Sequence, residues 1–186
     1  MTAKKKEKLL RYAALGLGGV WLLHEMGIAE VGASGPRIIN VVDNLPRSGT
    51  LPRRSLSAIT TIFVHHAGGP GDEQDFARAH IKLGYGGIGY HFVIHKDGRI
   101  LQTQELETIS RQAKNNNSYS VGVCLIGNFE TDVLGSVQEN ALVELLRYLR
   151  GRLGDVRILP HRAVRQTACP GADVMKKLDR IIQRAS

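Results

Sequence analysis

Two stretches of this 186-residue chain constrain its fold more than any other feature. ITTIFVHH (59–66) and SVGVCLIG (120–127) are β-rich and nearly all apolar, without the alternation of a half-exposed strand. A strand of that kind is buried on both faces, inside a sheet covered by helices. The covering helices are legible too. Asp72 can cap a segment whose positions Phe76, Ala79, His80 and Leu83 follow the i, i+3, i+4, i+7 rule, and Gly84 stops it. Ser136 and Glu139 form a capping box for a long helix with Val137, Ala141, Leu142, Leu145, Leu146 and Leu149 as its core stripe. Asp173 opens a last amphipathic helix through Val174, Leu178, Ile181 and Ile182. GYHFVIH (89–95) and RILQT (99–103), joined at Asp97-Gly98, read as a hairpin, and RILPH (157–161) as a short strand. The fold class is therefore α/β: a single domain with a central mixed β-sheet flanked by helices, preceded by an N-terminal apolar helix and a linker arm.

Three segments follow. Residues 1–33 are a basic and apolar N-terminal segment, with the uncharged run YAALGLGGVWLL at 12–23. Twelve apolar residues are too few to span a bilayer, but a basic start before a short apolar run is the layout of an export signal or membrane anchor. Membrane contact is expected through residues 9–23. Residues 34–57, rich in proline and glycine, read as a linker or wrapping arm, and 58–186 as the domain that carries the chemistry. The formal net charge of +8 invites a nucleic-acid reading. Half of that excess sits in the first eleven residues, and no nucleic-acid-binding motif is present. No nucleic-acid partner is expected, and the chain is expected to be a monomer.

The chemistry-bearing residues are seven histidines and two cysteines. His80 lies on the apolar stripe of its helix and reads as structural; Cys124 lies in a buried strand and reads as core. His65 and His66 end a buried strand, and successive strand side chains point to opposite faces, so only one of them can face a given site. His161 and Cys169 flank the loop HRAVRQTACPG. Imidazole and thiolate are good zinc ligands, and three protein ligands leave a fourth position for water. Two histidines and a cysteine can form such a site, but spacing alone does not separate it from a buried thiol and surface imidazoles. Other zinc signatures, the phosphate-binding loop and the nucleophile-elbow motif are absent.

At IFVHHAG (62–68), GYGGIGYHFVIHKDGRI (84–100), SVGVCLIGNF (120–129) and HRAVRQTACPG (161–171) the chain resembles the zinc-dependent N-acetylmuramoyl-L-alanine amidases. This superfamily includes the peptidoglycan recognition proteins and phage amidase endolysins. The four motifs run in unbroken order from about Leu51 to the C-terminus.

The resemblance implies zinc held by His65, the first histidine of the pair, with His161 and Cys169. It implies Tyr90 as the active-site tyrosine. Thr167 stands where many phage members have lysine, and where the active recognition-protein branch has threonine. Gln112 replaces the family's usual histidine; it can hydrogen-bond substrate but cannot shuttle a proton near neutral pH. Gln112 and Asn117 are accordingly expected to bind substrate. The implied activity is hydrolysis of the amide between N-acetylmuramic acid and the L-alanine of the stem peptide by a zinc-activated water. The alternative is a non-catalytic peptidoglycan-binding module of the same fold. The implied location is the cell-wall side of the membrane, exported or membrane-tethered; a cytoplasmic phage lysin released at lysis is the alternative.

Overall fold

The structure is a computed structural model that describes residues 35–186. The expected apolar helix and membrane contact in the first 33 residues lie outside the described residues.

A six-stranded mixed sheet forms the centre. Its strands are β1 (Ile38–Asn40), β2 (Thr61–His66), β3 (Phe92–Ile94), β4 (Ile100–Gln102), β5 (Ser120–Leu125) and β6 (Arg157–Pro160). The spatial order is β1-β4-β3-β5-β2-β6. β2 pairs in parallel with β5 and β6, and β5 in parallel with β3. Among these six strands, the β3–β4 hairpin is the one antiparallel pair. The two apolar runs became the central strands β2 and β5, and both are buried along their length except at His66.

Among the described residues, three α-helices cover the sheet: α1 (Glu73–Lys82), α2 (Ser136–Leu153) and α3 (Ala172–Arg184). Ile62, Val64, Phe92, Val123 and Leu125 point to one face. There they pack with Leu142, Leu145 and Leu146 of α2 and Val174, Leu178 and Ile181 of α3. Period-two alternation sends His65, Gly122 and Cys124 to the other face. Cys124 is fully buried there with Val93, Leu45, Ala77 and Ile88, as a core thiol should be. One face is thus a largely apolar core, entered by the buried Gln138 amide, which donates to the Ile94 carbonyl at 2.9 Å; the other combines apolar packing with the polar groups of a site.

Several local expectations need correction. Of the two readings of the arm, it wraps rather than links, and the domain begins before residue 58: Ile38–Asn40 pairs in parallel with β4 as the edge strand β1. Arg54 in the same arm reaches inward, donating to the carbonyls of Asn117 and Leu106 (3.0 Å for the latter). Ser136 and Glu139 make no capping box. Gly135 is the N-cap and contributes no side-chain bond. The Glu139 carboxylate instead accepts from Arg180 Nη2, shared between its two oxygens (3.0 Å to each), and from Arg184 (2.7 Å), joining α2 to α3. Val137 leaves the stripe and is 57% exposed.

The stripe of α1 is also rotated. Leu83 is 66% exposed and Ala79 is exposed, while Ala77 is fully buried. Asp72 does cap α1, accepting from the backbone of Gln74 (2.9 Å) and Asp75 (3.0 Å). Asp173 falls in the first turn of α3 rather than at its N-cap, and accepts from Leu134 N–H and the Lys177 ammonium.

Candidate functional site

The site forms where β2 and β6 end side by side. His65 is the fifth residue of β2, and His161 follows β6 directly. Parallel pairing of these strands brings the two histidines together, with ring centroids 4.4 Å apart. The loop after His161 returns over the strand ends and delivers Cys169. One ligand atom from each of His65, His161 and Cys169 lies within 4.8 Å of the others. His66 points elsewhere: its Nδ1 accepts from Phe129 N–H at 3.1 Å. The two side chains point to opposite faces, as strand parity requires, and the first of the pair, the one the resemblance implies, is the one that joins the cluster.

The three donors fit zinc. The His161 Nε2 is buried with no hydrogen-bond partner in the protein. Two imidazoles and a thiol are the chemistry that zinc prefers. His65 is 1% exposed, and burial, with the nearby His161, pushes its pKa down to about 3, so it stays neutral and able to coordinate. Burial pushes the Cys169 thiol up to about 11, opposed by the His66 N–H, which donates to the sulfur at 3.4 Å, and by Arg162. A thiol so placed becomes a thiolate when a cation binds beside it.

The metal-donor trio lies in a cavity of about 290 Å³, whose walls include Tyr90, Thr167, His80, Tyr85, Arg111 and Arg165. That approaches the size range of small-ligand pockets. Burial and the neighbouring Cys124 and Cys169 raise the Tyr90 phenol well above its ordinary range, so it remains a hydrogen-bond donor. Its ring centroid is 5.3 Å from that of His65. The Thr167 oxygen accepts from Cys169 N–H at 3.2 Å, which leaves its hydroxyl proton for another acceptor. A second cavity, of about 530 Å³, shares Tyr85, Arg111, Gln112 and Arg165 with the first and adds Lys114, Asn115 and Asn117.

Gln112 and Asn117, expected on the substrate, line the second cavity but are committed to protein partners. Gln112 Oε1 lies 2.6 Å from His65 Nε2. Asn117 Oδ1 accepts from the backbone N–H groups of Gln112 (3.1 Å) and Ala113 (2.8 Å) and so shapes the loop that carries Gln112. His80 is structural, accepting from Gly89 N–H at 2.9 Å through Nδ1, but it also forms part of the cavity wall. Tyr85, Arg111 and Arg165 were not foreseen. Tyr85 lies in the glycine-rich motif and Arg165 in HRAVRQTACPG, whereas Arg111 lies in neither and is marked only by its place next to Gln112.

Fold and site together define an α/β domain with a His-His-Cys metal-type cluster at the floor of a surface cavity. The chain belongs to the N-acetylmuramoyl-L-alanine amidase family, whose model matches residues 55–172. It is 34% identical over 110 residues to an endolysin of Enterobacteria phage K11, covering 55% of this chain and 72% of that one. It is 35% identical over 99 residues to peptidoglycan-recognition protein SC2 of Drosophila melanogaster, covering 52% of this chain and 54% of that protein; it thus spans about half that relative's length. Among solved structures it is similar to the endolysin amidase LysCS from Clostridium intestinale, with a TM-score of 0.74 and 28% identity. That match covers 82% of this chain and 99% of LysCS.

Proposed function

We propose that this protein is a zinc-dependent peptidoglycan amidase that cleaves between N-acetylmuramic acid and L-alanine of the stem peptide. The observation that carries this reading is the cluster of His65, His161 and Cys169, within 4.8 Å at the cavity floor of a family member. These three residues would hold the ion. When bound, zinc supplies a Lewis acid that polarises a carbonyl and lowers the pKa of a bound water.

The remaining work belongs to the chain. Tyr90 donates its phenolic proton to the carbonyl oxygen as negative charge develops there. Thr167 donates a second, neutral hydrogen bond, its geometry fixed by the Cys169 N–H. Donors of this kind are each worth about 10²–10³ in kcat when already in place. Arg111, Lys114 and Arg165 around the adjoining cavity suit a stem peptide that carries carboxylates. A substrate of this kind lies outside the cytoplasmic membrane, which favours action on the cell-wall side.

Replacing Cys169→Ala tests the reading. Zinc retention and release of stem peptide from purified cell wall should both be lost, and mass spectrometry of products from a defined muropeptide should show the lactyl–alanine amide cut. Digestion at the wild-type rate by the variant would overturn the mechanism. Undiminished wall binding with no cleavage by the zinc-loaded wild type would instead establish the non-catalytic module.

A further inference from the structure

The hydrogen-bond chain behind His65 has a direction, and it starts outside the donor trio. Ser120 Oγ donates to the carbonyl of Asn116 at 2.6 Å. Its proton is thereby committed, and toward its other neighbour the hydroxyl can only accept. That neighbour is the Gln112 amide nitrogen, which donates to Ser120 Oγ at 2.7 Å. The side chain of Gln112 is thus oriented with its oxygen toward His65, 2.6 Å from Nε2. A carbonyl oxygen cannot donate, so the proton of this contact belongs to the imidazole. The other ring nitrogen, Nδ1, then carries the lone pair, and it faces Cys169 Sγ at 3.7 Å.

The fold reserves room for this arrangement. Gly122 of β5 lies directly under the glutamine, and a Cβ there would meet Gln112 Cγ at 2.8 Å. Asn117 Oδ1 holds the backbone N–H groups of Gln112 and Ala113, and Arg54 from the arm holds the Asn117 carbonyl. The glutamine is 8% exposed, and its amide is consumed at both ends.

We propose that Gln112 is a positioning residue for metal binding rather than a substrate contact: it locks His65 in the Nε2–H tautomer, with Nδ1 presented to the ion. The inference rests on the zinc reading of the site. A histidine at this position could donate or accept through its ring; a glutamine oriented by Ser120 can only accept, so the tautomer is fixed by wiring. Partners that orient a metal-bound histidine typically alter metal affinity by roughly 10–100-fold when removed.

The test has two readouts besides activity. Side-chain ¹⁵N NMR of the metal-free protein should show His65 protonated on Nε2. Gln112→Leu should give a mixture of tautomers and weaken zinc binding by roughly 10–100-fold in a chelator competition. Gln112→Glu, which keeps an acceptor at the same place, should restore both. Should the leucine variant not fold, Ser120→Ala serves instead: it frees the amide to turn over and should shift the same two readouts. A wild-type His65 protonated on Nδ1, or a leucine variant that binds zinc as tightly as wild type, overturns the proposal. A wild-type protein that takes up no zinc defeats the amidase reading itself, while the tautomer measurement still decides whether Gln112 sets the ring.

Discussion

Tyr90 and Thr167 show how single residues are tuned here without carrying charge. The phenol is held protonated by burial, and the threonine oxygen is occupied by a backbone N–H. Tyr90→Phe removes one donor and almost no volume. On the proposed amidase reading, in which the hydroxyl acts on developing charge and not on the ion, stem-peptide release should fall about 10²–10³-fold in kcat with zinc affinity unchanged. Steady-state kinetics beside a chelator competition would check it; unchanged kcat would remove Tyr90 from the reaction. At this scale the sequence was informative about which donors cluster and poor about their supports. Strand parity allowed one histidine of the pair to face the cluster, the resemblance named His65, and the motif around Cys169 brought the thiol beside it. The Gln112–His65 contact joins a loop residue to a strand residue 47 positions away in sequence, and no periodicity or motif within either segment encodes it.

Among the elements, what the sequence showed was existence, and what it hid was phase. The runs that became β2 and β5 were unmistakable because both faces are buried. The helices were found, yet α1 turned its stripe because Ala77, a small residue easily passed over, is the one that fits against the sheet. Glu139 deceived for a related reason. A Ser-x-x-Glu pattern matches a cap, but the guanidinium groups of Arg180 and Arg184, more than 40 residues away, claim the carboxylate instead. Its side chain is 8% exposed between partners that are 61% and 41% exposed. Glu139→Ala should therefore cost roughly 1–3 kcal/mol in urea denaturation, since it unties α2 from α3 while leaving two arginines that can rehydrate. A change under about 0.5 kcal/mol, ordinary for surface sites, would show that the pair contributes little. Gly171 marks the other junction. It has φ +98°, and a Cβ there would lie 2.5 Å from the backbone of Phe129. Gly171→Ala should displace the loop that carries Cys169 and weaken both stability and zinc binding, read by denaturation and by chelator competition.

For the molecule as a whole, the arm and the buried histidines set the conditions under which the domain stands. The arm supplies the edge strand β1 and Arg54, so a chain beginning at residue 35 should fold, whereas one beginning at 58 should lose cooperative unfolding. Acid should act through His91. Its ring is fully buried: the Nε2 lies 2.9 Å from the Thr108 carbonyl and 3.3 Å from the Arg54 guanidinium, and Nδ1 accepts from Gly122 N–H at 3.1 Å. Burial first, and then Arg54, pushes its pKa down from 6.5 to about 3. Below pH 6.5 the unfolded chain takes up a proton that the folded chain refuses until about pH 3. The contribution is complete above 6.5 and is lost progressively as pH falls through that window, at up to about 1.4 kcal/mol per pH unit. His65 adds a slope of the same sign in the metal-free protein. His91→Gln should lower stability at pH 7.5, because it gives up fitted hydrogen bonds, and should flatten the decline between pH 6.5 and 4.5. Urea midpoints of both proteins across that range measure the difference, and parallel curves would show that His91 is not the group through which acid acts.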